Sequence, residues 1–165
     1  DKDAVASCAI IAEAAAWAAN KRKNIFDILV DIYLEFGFYK ESLLSVTKKG
    51  KAGAEEIQKM MENFRSNPTN KINCSEVVSI MDYQESKEKD IRSGTETPID
   101  LPKSNVLQFF TADGTKISMR PSGTEPKIKF YFGVKDILPS RIQYDEVNEK
   151  LDKKIDSVIK DLKLK

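Results

Sequence analysis

One stretch, Arg120-Pro121-Ser122-Gly123-Thr124-Glu125-Pro126, gathers most of the groups in this sequence that could hold an anion. Arg supplies a planar fork of donors, Ser and Thr supply hydroxyls, and Lys127 and Lys129 follow at once with ammonium groups. That set is chemically suited to a phosphoryl group, which takes charge-assisted hydrogen bonds from several sides. Gly123 is expected to let backbone N–H groups turn inward as an anion-binding nest. Pro121 and Pro126 stiffen both ends and reduce the ordering cost of binding. On composition alone, the same residues would also make a plain tight connection between strands, since Ser, Gly, Thr and Pro favour turns.

Strand parity decides which side chains could join the loop. Ile117 and Met119 share one face before it, which leaves Lys116, Ser118 and Arg120 on the other. After it, Ile128, Phe130 and Phe132 are the apolar set, so Lys127, Lys129 and Tyr131 point the opposite way. With both apolar sets turned to a core, Arg120, Lys127 and Lys129 emerge together on the open side.

The rest of the composition narrows the chemistry. The 165 residues contain no histidine, which removes imidazole catalysis and every His-ligated metal site from this chain. Cys8 and Cys74 stand far apart, without a CxxC, and are read as free buried thiols in a reducing, cytoplasmic setting. With 27 basic and 26 acidic residues the net charge is +1, so no general attraction to nucleic acid or to an anionic membrane is expected. A strand bearing Lys127 to Phe132 has some likeness to single-strand RNA platforms, but parity leaves only Tyr131 facing outward. A non-enzymatic nucleic-acid or phosphate-binding module is therefore the alternative reading.

The elements that must position the loop can be sketched from periodicity. Ala4 to Ala19 is an Ala-rich helix, interrupted by Glu13 and too short to span a bilayer. A helix apolar all round belongs inside a larger body, so this chain reads as the tail of a longer protein. Left uncovered, Ala4–Ala19 is expected to pack on a second copy or on its own domain. Asn24 caps a second helix that Gly37 stops. Phe38 to Thr47 reads as extended, Lys48 to Lys51 as a solvated turn, and Ala54 to Arg65 as a third helix. Val77 to Met81 is a strand, and the charged stretch from Gln84 to Thr97 reads as a loop. Val106–Phe110, Thr115–Met119 and Lys127–Phe132 are three further strands, the first two joined through Asp113-Gly114. A final helix runs from about Tyr144 to Leu164. The expected fold is α+β: a mostly antiparallel sheet of about four strands covered by helices.

Residue order carries more than composition. The run Arg120 to Tyr131, Arg-Pro-Ser-Gly-Thr-Glu-Pro-Lys-Ile-Lys-Phe-Tyr, resembles the C-terminal phosphate-binding loop of the α-D-phosphohexomutases, the phosphoglucomutase/phosphomannomutase family. Asn105-Val106-Leu107 and the Asp113-Gly114 hairpin are similar to that family's last domain. Asp1-Lys2-Asp3-Ala4 and the Ala-rich helix are similar to the end of its third. The resemblance implies residues 1–37 as a helical remnant of the preceding domain and 38–165 as the C-terminal phosphate-binding domain.

It also implies an enzyme that moves a phosphoryl group between the 1- and 6-positions of a hexose through a hexose 1,6-bisphosphate. A phosphoserine and Mg²⁺ would lie in upstream domains, leaving no catalytic residue and no metal ligand set here. Arg120, Ser122, Gly123 and Thr124 would hold the phosphate that is not reacting. Lys129 would add a cation where many relatives carry Arg, and Lys127 is a secondary candidate. Glu125 is read as a loop-ordering acceptor. The implied partners are a phosphosugar and the upstream domains of the same polypeptide, and the fragment alone is expected to be inactive.

Overall fold

The computed structural model describes residues 3–164, so Asp1 and Lys2 of the similarity just drawn lie outside the described residues. Two compact units emerge, one holding the chain up to Phe38 with Asp136–Asn148, the other Tyr39–Lys135 with the chain from Glu149 onward.

In the first unit, α1 (Ala4–Asn20) begins where the Asp3 carboxylate accepts from the Ala6 N–H at 2.8 Å. Its apolar side chains are largely in the open: Val5 is 82% exposed, Ile10 66%, and only Ala18 is buried. α2 (Ile25–Phe36) carries a full capping box, with Asn24 and Asp27 each accepting the other's N–H at 2.9 Å. Gly37 ends it at φ +97°, a conformation that glycine adopts without steric cost. Phe38 is buried here, stacked on Tyr33 and Tyr144 with ring centroids 4.2 and 5.0 Å away.

The second unit contains the sheet. Its strands are β1 (Phe38–Thr47), β2 (Lys71–Ile72), β3 (Ser75–Asp82), β4 (Lys87–Asp90), β5 (Glu96–Pro98), β6 (Leu107–Thr111), β7 (Lys116–Pro121) and β8 (Lys127–Asp136). The order is β1-β8-β7-β6-β3-β4-β5, with β2 paired to β3 off that path. All pairings from β8 through to β5 are antiparallel.

The sheet thus has eight strands rather than about four. β4 and β5 fall inside the stretch read as a charged loop. Their residues, Lys-Glu-Lys-Asp and Glu-Thr-Pro, are mostly exposed, so no apolar alternation marks them. They are held instead by ladder hydrogen bonds and by the Lys87–Glu96 ion pair at 2.9 Å. β2 is too short to show a period.

α3 runs from Gly50 to Ser66, taking in residues read as a turn. Gly53 is what lets it start so early: a Cβ there would sit 2.5 Å from Lys48 Cβ, so the helix could not approach the preceding segment with any larger residue. The final helix, α4 (Tyr144–Asp161), follows a 3₁₀ turn at Arg141–Gln143.

The core lies between one face of the sheet and these helices. Ile117, Met119, Ile128 and Phe130 are buried from the strands, and Ile57, Met61, Leu151, Ile155 and Val158 from the helices. Phe64 of α3 meets Phe109 and Phe130 edge-on, both at 6.4 Å. The two cysteines are exposed rather than buried: Cys8 lies on the open α1, and Cys74 sits at the tip of the β2–β3 hairpin with φ +63°.

The β6–β7 turn is fixed by Asp113. Its carboxylate pairs with Lys154 of α4 at 2.8 Å and accepts from the Thr111 hydroxyl and the Thr115 N–H. Partial burial of the carboxyl opposes ionisation, but Lys154, Thr111 and Thr115 together outweigh it and hold Asp113 far below the usual carboxylate range. A carboxylate whose pKa is lowered by folding stabilises the fold above its unfolded value and loses that contribution as pH falls. Asp113→Ala is therefore expected to destabilise the chain at neutral pH. The difference from the parent should shrink steadily once pH drops below about 4, the ordinary range for Asp. Urea unfolding at pH 7 and pH 2.5 checks both parts.

Candidate functional site

The loop at residues 122–126 is the connection between β7 and β8, and the ladder around it fixes which side chains are neighbours. Arg120 pairs directly with Lys129, and Ser118 with Tyr131. Directly opposed residues in such a ladder lie about 4.5–5.5 Å apart at Cα. Because Ile117, Met119, Ile128, Phe130 and Phe132 are all buried beneath, Arg120, Lys127, Lys129 and Tyr131 stand on the open face. Burial of Phe130 and Phe132 also removes them as stacking surfaces for bases.

Arg120, Ser122, Gly123, Lys127 and Lys129 line one concavity of about 240 Å³, together with Glu125 and Tyr131. None of the three cations forms an ion pair or hydrogen bond with another of the described residues. Like charges held directly across a ladder are unfavourable unless something offsets them.

The loop's own hydrogen bonds determine what it has left to offer. The Ser122 N–H donates to the Lys127 carbonyl at 2.8 Å, and the Lys127 N–H donates to the Glu125 carbonyl at 2.8 Å. The Ser122 hydroxyl oxygen accepts from the N–H groups of Thr124 and Glu125 at 3.4 and 3.3 Å. Its own hydroxyl proton remains available for donation. The Pro126 carbonyl accepts from the Lys48 N–H at 2.8 Å, which ties the loop to the start of α3.

Two expectations change. Gly123 does not adopt the left-handed conformation, and its neighbours' amides are engaged inside the loop, so no inward nest forms. Gly123 N–H alone has no partner among the described residues of the loop. Thr124, in turn, lines a different concavity, of about 520 Å³, on the side where α3 begins. Pro121, Ser122, Gly123 and Glu125 border both. That second space also takes in Lys51, Gln58 and Asn105, which pattern reading could not reach because α3 brings the first two in from far upstream.

A third concavity, of about 550 Å³, lies on the open sheet face and shares Arg120 and Tyr131 with the cationic one. Two of its polar groups meet each other, and one also meets Tyr83. Gln108 donates to the Ser118 hydroxyl at 2.9 Å and accepts from the Tyr83 hydroxyl at 3.3 Å.

Residues 44–137 match the family model of the phosphoglucomutase/phosphomannomutase C-terminal domain. The chain is 39% identical over 135 residues to a phosphoglucomutase of Staphylococcus aureus strain MRSA252, covering 82% of this chain and 24% of that protein. It is 34% identical over 134 residues to a phosphoglucomutase of Staphylococcus haemolyticus, covering 81% and 24%. Among solved structures it is similar to the open form of parafusin, a phosphoglucomutase from Paramecium, at TM-score 0.43 and 16% identity, covering 85% of this chain and 23% of that one. The chain spans about a quarter of the length of the curated relatives it matches.

Proposed function

The chain belongs to the phosphoglucomutase/phosphomannomutase family through its C-terminal domain, and from that premise we propose that the Arg120–Pro126 loop is a phosphate clamp in a phosphohexomutase. In this reading residues 1–37 are the end of a preceding domain and 38–165 the clamp domain. The reaction is the transfer of a phosphoryl group between the 1- and 6-positions of a hexose, through a bisphosphate.

What supports the clamp most directly is the convergence of Arg120, Lys127 and Lys129 on one concavity with no carboxylate of the described residues paired to any of them. An anion seated there would turn a repulsive arrangement into an attractive one. Arg120 would grip two phosphoryl oxygens with its fork, Lys129 would add a point charge across the ladder, and the Ser122 hydroxyl and Gly123 N–H would donate from the loop. Thr124 would contact the ligand from the far side of the loop.

Phosphoryl transfer depends chiefly on positioning and on stabilising charge. The clamp's part is to hold the far end of the substrate so that the reacting hydroxyl meets a phosphoserine supplied by upstream domains of the same polypeptide. Because the bisphosphate must be accepted in either orientation, the clamp's charged contacts go to phosphate, the group that both ends share. Mg²⁺, when bound in the longer enzyme, would neutralise charge on the transferring group. Among the described residues no three potential metal ligands come together that would fit it. No metal step is assigned to the chain.

The clamp is tested by NMR titration of the chain with inorganic phosphate. The amide signals of Ser122, Gly123 and Thr124 should shift with a dissociation constant on the order of millimolar, as befits an open site. Silence at these three residues in tens of millimolar phosphate would refute it.

A further inference from the structure

Asn105 is held in one orientation by a half-buried ion pair. Arg65 Nε donates to Asp82 Oδ2 at 2.9 Å, and the two side chains are only 17% and 15% exposed. The second arm of the same guanidinium donates to Asn105 Oδ1 at 2.7 Å. A guanidinium has no acceptor, so it must meet the amide oxygen. The Asn105 NH₂ group is then the end left over, and it has no partner among the described residues. Asn105 lines the helix-side concavity, facing the loop at Ser122–Pro126.

The two concavities flanking the loop differ in character. The strand side carries Arg120, Lys127 and Lys129 against the single carboxylate of Glu125. The helix side offers groups suited to alcohols, the amides of Asn105 and Gln58 and the hydroxyls of Ser122 and Thr124, with Lys51 as its one cation. Gly123 is one of the four residues that border both. Its backbone does not need glycine, because φ is not positive and an added Cβ would meet nothing within 4 Å. What the missing side chain does is leave the space above the loop at this point open.

We propose that a hexose phosphate lies across Gly123, its phosphoryl group on the strand side and its hydroxyls on the helix side, where Asn105 donates to them. The proposal rests on the clamp reading above and extends it. Asn105 becomes a residue that touches the sugar, and Arg65 with Asp82 a positioning pair behind it. A phosphosugar would then bind more tightly than inorganic phosphate, by the hydroxyl contacts made beyond Gly123.

The test compares dissociation constants for glucose 6-phosphate and inorganic phosphate on the full 165-residue chain, by NMR, for the parent and for Asn105→Ala, Asn105→Asp and Gly123→Ala. Asn105→Asp keeps the oxygen that meets Arg65 while removing the donors, so it separates contact from folding. In both Asn105 variants the preference for glucose 6-phosphate over phosphate should fall about five-fold, the loss expected for one hydrogen bond. In Gly123→Ala it should fall because the added methyl stands where the sugar crosses. Melting temperatures should stay within about 1 °C of the parent for Asn105→Asp and Gly123→Ala, below the shift of about 2–4 °C that 1 kcal/mol produces in a chain of this length. An unchanged preference in folded Asn105→Asp and Gly123→Ala overturns the proposal while leaving the clamp intact. If the parent binds neither compound, the clamp itself fails, and the proposal with it.

Discussion

Arg120→Ala is expected to weaken phosphate binding by about 10- to 100-fold, the loss that follows from removing charge-assisted hydrogen bonds worth about 1.5–3 kcal/mol. The effect should have two signs, which sets it apart from ordinary damage. Without phosphate, Arg120 faces Lys129 across the ladder with no paired anion, so its removal should leave the melting temperature unchanged or slightly raised. In saturating phosphate the parent gains stability by mass action and the variant does not, so the order reverses. Arg120→Lys should recover only part of the affinity, because an ammonium cannot make the bidentate contact. In a longer enzyme carrying the same loop, Arg120→Ala should lower kcat/KM to a similar degree while the upstream serine can still be phosphorylated. Thermal scans with and without phosphate, alongside the titration, are sufficient; affinity within two-fold of the parent would remove Arg120 from the clamp.

The second large effect is on the fold. Phe130→Ala should destabilise the sheet unit by about 3–5 kcal/mol, the cost of emptying a large aromatic site in a close-packed core. Phe130 is 0% exposed and takes the edge of Phe64 from α3. It also lies between Lys129 and Tyr131 in β8, so its loss should loosen the register that sets Lys129 opposite Arg120. Urea unfolding gives the first number, and phosphate affinity measured at low temperature, where the variant remains folded, gives the second. A loss below about 1 kcal/mol would mean that this face of β8 is not core.

Much of the site was legible before any coordinates. Alternation of Ile117, Met119, Ile128, Phe130 and Phe132 placed Arg120, Lys127 and Lys129 on one open face, because a strand has period two and one face has to be buried. The α2 cap was equally plain, since Asn24, Asp27 and Gly37 act through contacts a few residues apart. β4 and β5 were not legible: polar edge strands owe their state to a neighbour's ladder, and nothing in Lys-Glu-Lys-Asp advertises it. The early start of α3 was hidden for a related reason, as Gly53 matters only through its closeness to Lys48.

Local order in the chain thus determined the cationic face and the loop that interrupts it, because alternation and turn chemistry act over a handful of neighbours. Tertiary structure decided how the loop's donors are divided. It engaged the Ser122 and Lys127 amides internally, sent Thr124 to the helix side, and brought Asn105 there through Arg65, a residue forty positions away. Hydrogen-bond partners at that separation are chosen by packing, and no periodicity along the chain encodes them.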